Sequence, residues 1–402
     1  MTGAVRTSLI IVSRHRPLSL RRCLFAVTQM DHADFEVIVV ADPGGLAVAA
    51  DFHVKAVPFD QPNISVARNL GIGASSGEVV AFIDDDAVPE PDWLSRLTAP
   101  FADPQVAAAG GAILSRNGIS FEFDGGWVDR KLQQSRLAPA DRTGGVFPTT
   151  ADKALEIKGT NAAYRRARVC ELGGFDPAIS YYLDETELNL RLASRQALIA
   201  FVPQARVHHV KEQSSRRKEN RAPLSLWDIG ASTAITLRRL GADASALDEG
   251  WGRLLADETA RITGLVRAGQ LRRSEVAALL AGLADGFANA RARSLPVLTP
   301  LEGVTAPFLR LESDQRPKVI LSGRIWQSRR LKQDAARLVD EGNLVWLCLF
   351  SPTALYHRLR FTDQGYWLQT GGLFGKSDRT DPPFRLYSFS RRVSKESLRW
   401  QP

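Results

Sequence analysis

The sequence predicts an α/β protein built on a mixed, mostly parallel sheet, followed by a helical segment and a smaller α/β unit. Three observations predict it. Ser8–Ser13 and Phe35–Ala41 are apolar runs separated by Leu18–Gln29, whose Leu20, Leu24 and Val27 suit one helix face. Strand, helix, strand at this spacing is a βαβ unit with both strand ends at one edge. Val79–Ile83 is wholly apolar and stops abruptly in Asp84-Asp85-Asp86, as a strand buried on both faces does at its carboxyl end. Far down the chain, Val319–Ser322, Leu331–Glu341 and Leu344–Phe350 repeat the βαβ pattern.

At 402 residues the chain has room for two or three domains. Composition shifts divide it into residues 1–223, a helical, Ala/Leu-rich segment 224–295, and a small α/β domain 301–402 of unassigned role, with Pro296–Pro300 as linker. With 44% hydrophobic and 24% charged residues the composition is that of a globular protein, and no apolar run reaches the ~18 residues that span a bilayer. Met1–Arg6 leads directly into a strand, without the apolar stretch of a signal peptide. Cys23, Cys170 and Cys348 lie too far apart for a metal cluster or a disulfide framework, which fits a reducing cytoplasm. The net charge of +8 admits phosphates, anionic lipid or nucleic acid without choosing among them.

Taken in order, Ser13-Arg14-His15-Arg16 is a loop after the first strand, and Pro17 opens the helix. Asp42 ends the second strand, either as a turn acid ahead of Pro43-Gly44 or as an acceptor for a ribose or base edge. Ser65 is placed to cap a helix carrying Arg68 and Asn69, from which Arg68 is able to reach a diphosphate. Gly71 and Gly73 end that helix rather than open one, so they are no dinucleotide fingerprint. Asp84-Asp85-Asp86 reads as a solvated acidic turn or as a cage for magnesium, manganese or calcium, which favour oxygen ligands. A helix is expected over Asp92–Phe101 and a strand over Val106–Leu114. Residues 115–153 lack a clear period, and within them Phe123 and Trp127 suit either packing or stacking on a sugar. Ile157–Arg166 is strand-like with a polar corner, and from Asp184 the apolar Leu188 and Leu192 mark a helix whose first turn is acidic. Val202–Val210 is a late strand holding His208 and His209, before a basic run over Lys211–Arg221. Thr370–Ser377 nearly matches a phosphate-binding loop, but its first Gly is a Thr and Asp381-Pro382-Pro383 forbids the helix that must follow.

Ser8–Ser13, Asp42, Ala67-Arg68-Asn69-Leu70-Gly71-Ile72 and Phe82-Ile83-Asp84-Asp85-Asp86 together resemble the family-two glycosyltransferases, up to about residue 225. The resemblance implies the GT-A (Rossmann-like) fold and an inverting, hexosyltransferase-type reaction. The acidic triplet matches that family's Asp-x-Asp motif. Asp86 would then bind a Mn2+ or Mg2+ ion bridging the donor diphosphate, with Asp84 holding the metal's water shell and, with Asp85, the nucleotide. Ser13, Arg14, Asp42 and Arg68 would surround the nucleotide, although Ala41 and Pro43 depart from the family's usual loop after the second strand. Thr160 and Asn161 match the element lining the acceptor side, joined there by Trp127. The base at the start of the acidic helix is matched by Glu185, with Asp184 as the alternative because the order is Asp-Glu where the family has Glu-Asp. His208 matches the histidine that completes the metal site better than His209 does.

The partners implied are a nucleotide-diphosphate sugar, a UDP-sugar foremost, and a glycan or lipid-linked acceptor. No nucleic acid is expected, and the protein is expected in the cytoplasm with peripheral contact to the inner membrane face. Two other readings compete: a sugar nucleotidyltransferase, whose Gly-rich, Lys-bearing triphosphate loop is not seen near the N-terminus, and a non-catalytic nucleotide-sugar-binding or scaffolding module.

Overall fold

The computed structural model describes residues 5–212, 216–218, 220–302, 306–311 and 316–400. The chain opens β1 (Thr7–Ser13), α1 (Pro17–Val27), β2 (Phe35–Ala41), α2 (Pro43–Ala49), β3 (Lys55–Pro58), α3 (Ile64–Ala74) and β4 (Val79–Asp84). These four strands are parallel in the order β3-β2-β1-β4. Residues alternate between faces: Leu9, Ile11, Val37 and Val39 pack with α1 and α2, whereas Ile10, Ile38 and Val40 pack with α3. Both faces are covered, which explains the uninterrupted apolar runs. Helix α3 lies directly on β1, since a Cβ on Gly71 would come within 2.5 Å of Ile10.

After β5 (Ala87–Pro89), α4 (Trp93–Thr98) and β6 (Val106–Leu114), the stretch expected to be irregular is organised into short strands. They are β7 (Phe121–Phe123), β8 (Gly126–Asp129), β9 (Gln134–Arg136), β10 (Gly145–Pro148) and β11 (Lys153–Leu155), of which β11-β8-β9 form a separate small sheet. Runs of three or four residues are too short to show a period. β12 (Ala162–Arg165), α5 (Arg166–Glu171), α6 (Asp184–Ala193) and β13 (Leu198–His209) complete the main part. β12 runs antiparallel between β4 and β6, and β13 parallel to β6, so the expected mixed, mostly parallel sheet is present. The cap of α3 is Asn63, accepting from the Val66 N–H at 3.0 Å; Ser65 instead donates to the Ile179 carbonyl.

Three helices follow, α7 (Trp227–Arg239), α8 (Ala244–Arg267) and α9 (Arg273–Ala292). Then come β14 (Lys318–Arg324), α10 (Ser328–Asp340), β15 (Leu344–Ser351), β16 (Arg358–Phe361), β17 (Trp367–Gly372) and α11 (Phe389–Ser397), with sheet order β14-β15-β17-β16. The glycine-rich stretch 370–377 ends β17, and no described helix follows it before Phe389. This last sheet is docked on the first. Gln29 donates to the Gly365 carbonyl at 2.8 Å, Phe25 meets Phe361 edge-on at 6.3 Å, and Trp367 lies 4.8 Å from the His208 ring.

Candidate active site

From β1 the chain proceeds to β2 and β3 on one side and then crosses to β4 on the other. The carboxyl ends of β1 and β4 therefore flank the crevice where an open α/β sheet binds its ligand. A cavity of about 1190 Å³ opens there, lined by the loop Ser13–Arg16 and by Arg68, Asp84, Asp86, Thr160, Asp184, Glu185 and His209.

The acidic triplet divides its work. Asp84, Asp86 and His209 offer ligand atoms within 4.8 Å of one another. Asp86 lies 3.4 Å from His209 Nε2 and accepts from Arg16 Nη1 at 2.9 Å and from the Glu212 N–H at 3.0 Å. Burial opposes ionisation of Asp86, but His209, Arg16 and the Glu212 N–H hold its carboxyl well below the usual range. For His209, burial is outweighed by the hydrogen bonds to Asp86 and Glu122, which push its pKa up to about 9. Two carboxylates and an imidazole converging on one point are a donor set that fits a divalent cation. Asp85 faces the other way. It is fully buried, accepts from Ser13 Oγ at 2.7 Å and pairs with Arg16, and burial, against the pull of Arg16, raises its pKa to about 8. It shapes the loop from behind and is not among the described residues lining the cavity.

Of the two histidines, His209 and not the expected His208 lies beside the acidic triplet. His208 Nε2 bonds Glu90 at 2.9 Å and its ring packs on Trp367, while the next residue reaches Asp86. Consecutive strand side chains point to opposite faces, so only one of the two can face the triplet.

The second half of the site comes from α6. Tyr182 and Leu183 both have positive φ, 71° and 66°, an uncommon conformation for large side chains that turns the chain sharply into the acidic first turn. Asp184 is buried and ion-paired with Arg68, itself buried and 3.6 Å from Asp84. The Arg68 guanidinium lies over the Phe175 ring at 5.2 Å, and a Cβ on Gly159 would collide with it. Thr160 Oγ1 donates to Asp84. Glu185 is left facing the cavity. Burial first and the Asp184 carboxylate second raise its pKa to about 7, against Arg68 and Lys158.

Other expected contacts lie elsewhere. Asp42, Asp85, Trp127, Asn161 and His208 are not among the described residues lining the cavity. Asp42 caps α2 and accepts the His15 N–H at 3.1 Å, fixing the loop in which His15 takes φ of 59°. Asn161 is fully buried, accepting from Trp93 Nε1 at 2.8 Å and donating to the Ala112 and Ala205 carbonyls. Trp127 packs edge-on against Phe147 at 5.9 Å beneath Lys153, whereas Phe123 does line the cavity. Arg14 lines it and pairs with Asp60 at 2.8 Å. From the basic run, Lys211, Arg216 and Arg217 line it too, with Arg216 paired to Asp228; residues 213–215 and 219 lie outside the described residues. Sequence reasoning missed Arg16 and Lys158. The signal for Arg16 was its place just before Pro17, where the helix entry turns it back toward the strand-end acids.

Residues 8–167 match the model of "Glycosyl transferase family 2". The chain is 27% identical over 244 residues to "O-antigen biosynthesis protein RfbC" of Myxococcus xanthus, covering 56% of this chain and 19% of that protein. It is 26% identical over 331 residues to "Succinoglycan biosynthesis protein ExoO" of Rhizobium meliloti (strain 1021), covering 77% of this chain and 90% of that protein. Against RfbC and two further curated relatives the match spans only 19–42% of their length. A solved structure, "Crystal structure of GalNAc-T7 with UDP, GalNAc and Mn2+", is similar with a TM-score of 0.45 at 19% identity, over 58% of this chain and 48% of that one. Together with the strand-end acids and the mixed, mostly parallel sheet, the match identifies residues 8–167 of this chain as a glycosyl transferase family 2 segment.

Proposed function

We infer that this chain is a metal-dependent, inverting glycosyltransferase of hexosyltransferase type, moving a sugar from a nucleotide diphosphate to a hydroxyl of a glycan or lipid-linked acceptor. The observation carrying this reading is that Asp84, Asp86 and His209 share one cavity with Glu185. Mn2+ or Mg2+ held by the first three residues would supply the positive charge that stabilises a departing diphosphate. Arg14, Arg16 and Arg217 add cationic groups around the same cavity. Glu185 takes the proton from the attacking acceptor hydroxyl. Its raised pKa suits it better than Asp184, which the Arg68 guanidinium holds as an ion pair. A single displacement with Glu185 as base inverts the anomeric carbon, by the logic of inverting glycosidases with an acceptor hydroxyl in place of water. The names of the relatives support a role in polysaccharide assembly. A UDP-sugar is the donor proposed, used at the cytoplasmic face of the membrane.

The test is radiolabelled transfer from a panel of UDP- and GDP-sugars, with Mn2+, with Mg2+ and with chelator. Metal-dependent incorporation with inversion supports the reading. Hydrolysis without transfer, or transfer that persists in chelator, overturns it.

A further inference from the structure

Parallel strands β14, β15 and β17 all end at one edge of the C-terminal sheet. The loops leaving that edge carry Ile325, Trp326, Leu355, Tyr356, Phe384 and Leu386, all exposed, with Trp326 at 70% and Leu386 at 75%. Scattered exposed apolar residues are ordinary; six in the loops of one sheet edge are not. The second and third of these loops are held together. The Leu355 carbonyl accepts from the Gly372 N–H at 2.8 Å, Phe384 packs on Phe374 at 5.7 Å, and Lys376 sits over the Tyr356 ring. Basic residues flank them in the chain: Arg324, Arg329, Arg330, Lys376, Arg385 and Arg391. The acids in these loops, Asp378 and Asp381, do not balance them, and Asp381 is already paired with Lys395. No helix among the described residues is long and apolar enough to cross a membrane.

We propose that this edge of the C-terminal sheet docks on an anionic lipid bilayer, inserting Trp326, Leu355 and Leu386 among the headgroups while the arginines meet lipid phosphates. Interfacial binding needs apolar area and cationic charge together, and Trp and Tyr favour that boundary. A nucleic acid would match the arginines and the rings, but offers nothing to the aliphatic Ile325, Leu355 and Leu386. The proposal rests on the membrane-face location inferred above and names the surface that would reach it, while its test does not depend on the transfer reaction.

The test is co-sedimentation of the full chain with vesicles of phosphatidylcholine alone and with 30% phosphatidylglycerol. Partition onto the anionic vesicles is expected, falling as salt rises. Trp326→Ser/Leu355→Ser/Leu386→Ser should lower it at least tenfold with the melting temperature unchanged. Arg329→Glu/Arg330→Glu should lower it by a similar factor, since each basic residue near an anionic surface contributes ~1 kcal/mol, roughly fivefold. Equal partition of wild type and both variants overturns the proposal. So does loss, in the triple variant, of self-association seen by light scattering, or of binding to a single-stranded oligonucleotide, when vesicle binding is absent. None of these outcomes depends on sugar transfer, so they leave that reading to its own assay.

Discussion

Arg68 is ion-paired with Asp184, and the contact ties helix α3 to the first turn of α6 while leaving the guanidinium 3.6 Å from Asp84. One buried cation thus stands between the Asp84 side and the Glu185 side of the cavity. Breaking a buried pair by removing one partner costs roughly 3–5 kcal/mol, because a charge is left unpaired. Arg68→Met should lower stability by about that much in urea unfolding. Arg68→Met/Asp184→Leu should regain much of the stability but none of the turnover. Full turnover in the double variant would separate this pair from the site.

Glu185→Gln should keep donor binding, read as protection against heat unfolding by a nucleotide sugar, and lose transfer by ~10²–10⁴-fold. A base acts only when deprotonated, and its pKa is raised to about 7. The wild-type rate should therefore fall as pH drops through neutrality, tenfold per unit below it. The Gln variant's residual rate should lack that limb.

The two adjacent histidines should separate cleanly. His209→Ala removes a candidate ligand and should weaken Mn2+ binding, measured calorimetrically, at least tenfold with little change in fold. His208→Ala removes a hydrogen-bond partner of the buried Glu90, which keeps its ion pair with Arg399 at 3.0 Å, and should cost ~1–3 kcal/mol of stability. The reverse pattern would restore His208 to the metal site.

Asn161→Leu removes the acceptor of the Trp93 indole N–H and one donor to each of two carbonyls, and a buried polar group left unsatisfied costs ~1–3 kcal/mol. The melting temperature should drop by many degrees, while KM for acceptor, assayed well below it, should stay unchanged. A raised KM with unaltered stability would place Asn161 at the acceptor after all.

The main sheet was legible because its strands are buried on both faces and so write themselves as apolar runs, as in β1, β2 and β4. The acidic triplet was legible because three adjacent carboxylates at a strand end call for a compensating cation. Short strands such as β7 and β9 were not, since three residues carry no period and take their geometry from neighbouring strands.

By itself, then, the sequence determined the βαβ order, the edge at which the crevice opens, and the two acidic clusters beside it, Asp84-Asp85-Asp86 and Asp184-Glu185. Only the tertiary structure decided which neighbour of each faces inward: His209 over His208, Asp84 and Asp86 over Asp85, Phe123 over Trp127. Residue type records what chemistry a side chain is able to do. Its direction is fixed by strand alternation and by partners distant in the chain, such as Arg16 for Asp85 and Trp93 for Asn161.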